Sequence, residues 1–150
     1  ELKIWLLKFK NEEVKRMNTL SLNIVSPNGS VYDREDVNLA VLQTTAGEIG
    51  VMYGHIPTVA ALEIGYVKIN FDGGSEYIAV SEGFVEVRQD KLSIIVQTAE
   101  PANEIDVARA ELAKSRAESH LNNEEDNSDV NRAKRALERA NNRIRVANLQ

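Results

Sequence analysis

A chain of 150 residues with 43% apolar and 27% charged side chains has room for one good core and an appended element, not for two full domains. The absence of cysteine excludes disulfides, a thiol nucleophile and a thiolate metal site, and fits a cytosolic home. No apolar run approaches the roughly 20 residues needed to cross a bilayer, and the net charge of −5 argues against a nucleic-acid partner.

Residues 1–16 differ in character from the rest of the chain. Leu2-Lys3-Ile4-Trp5-Leu6-Leu7-Lys8-Phe9-Lys10 is apolar and basic but carries no signal-peptide cleavage site. It reads either as a surface-lying amphipathic segment or as a non-native leader. Glu12-Glu13-Val14 can be spelt by purine-rich codons resembling a ribosome-binding site, so the expected natural start is Met17 and 1–16 a mis-called extension.

From Met17 the pattern is strand and turn. Leu20, Leu22 and Ile24 alternate, and Pro27-Asn28-Gly29 turns the chain. Val37, Leu39 and Val41 alternate again, as do Val67, Ile69 and Phe71, with Asp72-Gly73-Gly74 as a hairpin loop. Further short strands are expected over 77–80, 83–88 and 92–97. Turns at regular spacing point to a sandwich or barrel, not to βαβ units. Pro101 closes this half, giving an expected β domain over 17–101.

Residues 102–150 change character: they are alanine-rich and charged, with no proline or glycine. Asn103 is the expected N-cap of a first helix running to about His120, with Glu104 and Asp106 in its first turn favouring the helix dipole. A polar loop over 122–128 comes next, and Ser128 or Asp129 caps a second helix reaching about Leu149. Val130, Ala133, Leu137, Ala140, Ile144 and Ala147 form a stripe that matches Ala110, Ala113, Ala117 and Leu121. The short loop makes the pair an antiparallel hairpin. With each buried methylene adding only about 0.8 kcal/mol, an alanine seam packs closely but holds weakly.

The chemistry of the chain lies in its arginines. His55 and His120 belong to different halves and to no metal-spaced or nucleophile-base pattern, and no phosphate-binding loop is present. No catalytic site is expected. On a helix Arg109 and Arg116 share one flank, and Arg132, Arg139 and Arg143 share the corresponding flank of the partner helix. Asp106 and Glu100 lie near the base of that flank. Guanidinium groups capture phosphate oxygens bidentately, and carboxylates accept hydrogen bonds from a base or ribose. The bland alternative is a solvated flank of weak ion pairs. Residues 130–150 hold Arg132, Lys134, Arg135, Arg139, Arg143 and Arg145 against Glu138 alone, which suggests an anionic partner for the last helix.

From Met17 to Gln150 the chain resembles the epsilon subunit of bacterial F-type ATP synthase. The resemblance rests on Gly47-Glu48-Ile49-Gly50-Val51 with Gly54-His55-Ile56-Pro57, on Ser81-Glu82-Gly83-Phe84-Val85-Glu86-Val87, and on Asn142-Arg143-Ile144-Arg145-Val146-Ala147. It implies a sandwich of about ten strands followed by a C-terminal helical hairpin. It also implies a non-catalytic rotor subunit, peripheral on the cytoplasmic side of the cell membrane, that clamps the gamma subunit onto the c-subunit ring. Its helices would inhibit ATP hydrolysis when extended along gamma. In some members the folded-down hairpin binds ATP, a regulatory ligand and not a required cofactor, through an (Ile/Leu)-Asp-x-x-Arg-Ala motif. Ile105, Asp106, Arg109 and Ala110 match it, and the family's further contacts fall on Glu100, Arg116, Arg139 and Arg143. Pro101 departs from relatives that carry arginine there and stiffens the joint. Glu48 and His55, in glycine-rich loops, fall where relatives meet the c subunit and gamma. Lys134 and Arg135 fall on the helix that meets an acidic region of the beta subunit. The alternative is a free-standing nucleotide-sensing module. A sugar-binding sandwich is disfavoured, because the one tryptophan lies in the leader.

Overall fold

A computed structural model describes residues 2–16, 18–123 and 127–149. Met17, the expected natural start, lies outside the described residues. Ahead of it helix α1, Leu2–Arg16, leaves Leu2, Ile4, Trp5, Leu7 and Phe9 exposed, with Trp5 stacked on Phe9. Residues 2–10 of this helix are all exposed.

Among the described residues nine strands come after it: β1 Leu20–Ser26, β2 Gly29–Thr44, β3 Gly47–Val51, β4 Thr58–Leu62, β5 Gly65–Phe71, β6 Gly74–Val80, β7 Gly83–Val87, β8 Lys91–Val96 and β9 Ala99–Pro101. Their hydrogen-bonded order is β1-β8-β7-β4-β2-β5-β6-β9, with β3 on β2 and a further β1–β2 pairing. The first part of β2 pairs with β1 and its second part with β3 and β5. Counted once in each layer, β2 gives two five-stranded layers, which is how nine segments build the sandwich of about ten strands.

Between the layers lies a core in which Leu20, Leu22 and Ile24 of β1 meet Val67 and Ile69 of β5, Ile78 of β6, Val85 of β7 and Leu92 and Ile94 of β8. The alternation expected for β1 and β5 holds. That expected for β2 does not: Val37 is buried, but Ala40 and Leu42 follow it inward, not Leu39 and Val41. A register shift between Val37 and Leu39 inserts a residue and reverses which face later side chains occupy. Asp72 and Gly73 form the β5–β6 turn, with Gly73 at φ +100°, a conformation that suits glycine.

Helices α2, Val107–Asn122, and α3, Asn127–Ala147, pack on each other as a hairpin. Ala110 and Ala117 are buried with Ala133 and Ala140, so the seam is the expected alanine one. Helix α3 begins ahead of the expected caps Ser128 and Asp129. Residues 124–126 of the connecting loop lie outside the described residues.

Candidate functional site

The joint between the halves is built from three short steps. Pro101 ends β9, a 3₁₀ turn covers Ala102–Glu104, and Ile105 is extended. Asp106 then caps α2, its Oδ1 accepting from the backbone N–H of Arg109 at 3.0 Å. The expected cap Asn103 is displaced into the 3₁₀ turn. A helix needs an acceptor for its unpaired first N–H groups, and Asp106 is the short carboxylate three residues before Arg109. Its charge also meets the positive end of the helix dipole.

This joint frames a cleft of about 280 Å³. Asp106, Arg109, Ala110 and Arg143 of the hairpin half line it together with Ser26, Asn28, Gln97, Thr98, Ala99 and Glu100 of the sandwich. Arg143 Nε lies 3.1 Å from Glu100 Oε2, both side chains about one-third exposed. Arg139 reaches an adjoining hollow that shares Glu100 and Arg143. Among the described residues Arg109 and Arg139 have no carboxylate partner. Three guanidinium groups thus face two carboxylates, one ion-paired and one capping a helix. The arrangement suits a multiply charged anion with hydrogen-bonding groups at its other end.

Not every expected residue converges. Ile105 turns away to pack with Val146, Ala79 and Ala102. Arg116 and Arg132 are exposed on the hairpin, outside this cleft. Seven residues from Arg109, Arg116 sits about 10 Å further along α2 at 1.5 Å per residue.

Sequence reasoning missed how the hairpin is held. Asn142 and Val146, one turn apart on α3, are buried against the sandwich. Asn142 Nδ2 donates to the Gly65 carbonyl at 2.6 Å, and its Oδ1 accepts from Arg145 Nη2 at 3.0 Å. Val146 is fully buried in a small cluster with Ala79 and Ala102, edged by Tyr66, Tyr77 and Ile105. The two tyrosines meet edge to face, 5.7 Å apart, and the Arg145 guanidinium lies 5.5 Å from the Tyr66 ring. The available signal was Val146, an apolar residue off the alanine stripe.

Glu48 is not in a turn: it lies exposed on β3, accepting from Gln43 Nε2 at 2.7 Å. The run from Gly47 to Val51 read as a loop because its glycines obscure a strand that pairs fully with β2. His55 sits in the loop before β4, its Nδ1 donating to the Ile56 carbonyl at 2.7 Å. Nearby, Val59, Phe84 and Ile95 are exposed at 74%, 60% and 56%. Phe84 pairs with both Ala61 and Ile95 across the strands, so the outer face of this layer carries a connected apolar patch. Lys134 and Arg135 are exposed on α3. Away from these surfaces, Tyr32 donates to Glu76 Oε2 at 2.6 Å. Burial, then this bond to Glu76, pushes its phenol up to about 12. Arg34 joins Asp36 and Glu76 and stacks on Phe71. Among the described residues no cluster of His, Asp and Glu could hold a metal ion, and no helix is long and apolar enough to cross a membrane.

Comparison with known proteins agrees with this architecture. The β-sandwich domain of the ATP synthase delta/epsilon chain matches residues 19–102, and its long α-helix domain matches 103–148. The ATP synthase epsilon chain of Staphylococcus saprophyticus is 99% identical over 134 residues, covering 89% of this chain and all of that one. Those of Staphylococcus epidermidis and Staphylococcus aureus are 77% and 73% identical over the same lengths. Among solved structures, a chain of the Euglena gracilis mitochondrial ATP synthase OSCP/F1/c-ring structure is similar, with a TM-score of 0.73 at 25% identity. That match covers 88% of this chain and 82% of that one. A chain of the Tetrahymena thermophila mitochondrial central stalk and c-ring shares the fold, with a TM-score of 0.62 at 13% identity, over 86% and 96%. The chain belongs to the epsilon-subunit family of bacterial F-type ATP synthases.

Proposed function

We propose that the chain is a non-catalytic central-stalk subunit whose sandwich, residues 17–101, links gamma to the c-subunit ring and whose hairpin, 102–150, is a regulatory brake. The observation that carries the regulatory part is the position of the cleft. Its walls come from both halves, so an anion filling it bridges sandwich and hairpin and favours the docked state. ATP is the regulatory ligand of this reading, held by Arg109, Arg139 and Arg143 at its phosphates and by Glu100 and Asp106 at its hydroxyl or base groups. Ala110 supplies a close wall, and Ile105 acts by packing the joint. Arg116 is reached only by an extended triphosphate.

On the sandwich, the apolar patch of Val59, Phe84 and Ile95 supports a protein-bound face. Glu48 is assigned to the c subunit and His55 to gamma. When the hairpin extends, Lys134 and Arg135 face an acidic region of the beta subunit and inhibit hydrolysis. The subunit then sits at the membrane only through the complex, on its cytoplasmic side.

The test is an ATP titration of the isolated protein followed by thermal unfolding, with co-purification of gamma and c. A ligand at about 100 times its Kd adds about 2.7 kcal/mol of stability. Wild type should gain stability in millimolar ATP, Arg109→Ala should gain less, and both should co-purify with gamma and c. No ATP shift overturns the nucleotide reading. ATP binding without gamma or c would leave a free-standing nucleotide-sensing module instead.

A further inference from the structure

We propose that Asn142 is a positioning residue for the cleft, setting the height and rotation of α3 so that Arg139 and Arg143 face Glu100. It is only 7% exposed, and both ends of its amide are used: Nδ2 on the Gly65 carbonyl and Oδ1 on Arg145. Arg143 is the next residue along α3, and Arg139 lies three residues back. Residues three or four apart share a helix face, so a fixed Asn142 fixes where both guanidinium groups emerge. Asn142, Arg139, Arg143 and Glu100 line a common hollow.

Besides this bond, among the described residues α3 is held on the sandwich by Val146 and its small surrounding cluster, by the Arg145 guanidinium over the Tyr66 ring and by the Arg143–Glu100 pair. The ion pair is partly exposed and the apolar cluster is not directional. The amide alone demands one position, because a buried carbonyl deprived of its donor is penalised. Lifting the hairpin exchanges this bond for hydrogen bonds to water, so it acts as a modest latch for the docked state. The nucleotide arm of this inference rests on the function proposed above; the latch does not. If the cleft forms only in the docked state, apparent affinity falls in proportion to the docked fraction.

The test uses the full chain with Asn142→Asp, Asn142→Ala and Arg139→Ala, reading ATP affinity by calorimetry and amide exchange without nucleotide. Asn142→Asp keeps the shape and an acceptor for Arg145 but cannot donate to Gly65. Losing one buried hydrogen bond should reduce exchange protection of amides 140–147 about tenfold, leave core amides of β5 and β8 unchanged, and weaken ATP only as far as the docked fraction falls, at most by the same factor. Saturating ATP should restore the protection. Arg139→Ala should weaken ATP while leaving nucleotide-free protection of 140–147 intact, the mark of a contact residue as opposed to a positioning one. Unchanged protection in Asn142→Asp overturns the proposal, as does an equal loss across β5 and β8, which would mean general destabilisation. If wild type binds no ATP, the nucleotide reading falls alone, and the exchange at 140–147 decides for or against the latch.

Discussion

Gly83→Ala should cost this chain far more than a methyl group ordinarily does. Gly83 opens β7 opposite Val96 of β8, and a Cβ built on it falls 2.0 Å from the Ile95 carbonyl oxygen and 2.8 Å from the Val96 Cα. Ordinary C···O contacts are about 3.3–3.6 Å, so the strands must part by more than an ångström. Both obstacles are backbone, with no rotamer to swing aside. Overpacking of this kind costs about 1–3 kcal/mol, and loosening the end of the β7–β8 ladder adds about 1 kcal/mol for a lost hydrogen bond. A total of about 2–4 kcal/mol is a large share of the 5–15 kcal/mol typical of a domain. With a urea dependence of about 1–3 kcal/mol per molar, the midpoint should fall by roughly 1–2 M. Gly65→Ala is the milder comparison: its Cβ meets Gln43 Cγ at 2.9 Å, a group that can swing aside by giving up its bond to Glu48, and Gln43 Cβ at 3.1 Å, which needs a shift of a few tenths of an ångström. Its cost should stay near 1 kcal/mol. Equal stability of Gly83→Ala and wild type, or a larger loss in Gly65→Ala, would refute the steric argument.

Tyr32 should give a tyrosinate absorbance step near pH 12 that vanishes in Tyr32→Phe, because burial and then Glu76 hold the phenol protonated. The neutral phenol is favoured in the folded state, so its stabilisation is complete below about pH 10 and lost as pH rises to about 12. Urea midpoints of wild type and Tyr32→Phe should therefore converge over that interval. Lys134→Ala with Arg135→Ala should relieve inhibition of ATP hydrolysis in the reconstituted complex while leaving ATP binding nearly intact. Inhibition by wild type should also weaken toward 1 M salt, where the Debye length is about 3 Å. A flat salt response with unchanged inhibition in the double variant would make the brake steric or apolar.

The strands that alternate cleanly were legible in the sequence, as was the alanine seam, because a two-residue period and a three-four spacing each report one buried face. Leu39 and Val41 misled because the shift after Val37 changes the face without changing the composition. β3 was hidden by Gly47 and Gly50, and β9 by its brevity and Pro101. The cap was misplaced by three residues: Asn103 and Asp106 are both good caps in isolation, and only the 3₁₀ turn after Pro101 decides between them. The arginine flank could be drawn by helical geometry, but which arginines meet the sandwich depends on where α3 docks. That docking is set by Asn142, a polar residue whose partner is a backbone carbonyl 77 positions away. No local pattern encodes such a pairing.

The sixteen-residue β2, about 50 Å of extended chain at roughly 3.3 Å per residue, has a mechanical consequence. Most two-layer folds resist sliding of one layer over the other only through interdigitated side chains. Here one peptide backbone is stitched first into one layer and then into the other. The face carrying Phe84 and Ile95 is linked by the β4–β7–β8–β1 ladders to the first part of that same strand. The two layers are thereby tied at their middle by one continuous strand, while the hairpin joins them through Pro101 and the small docking surface of α3.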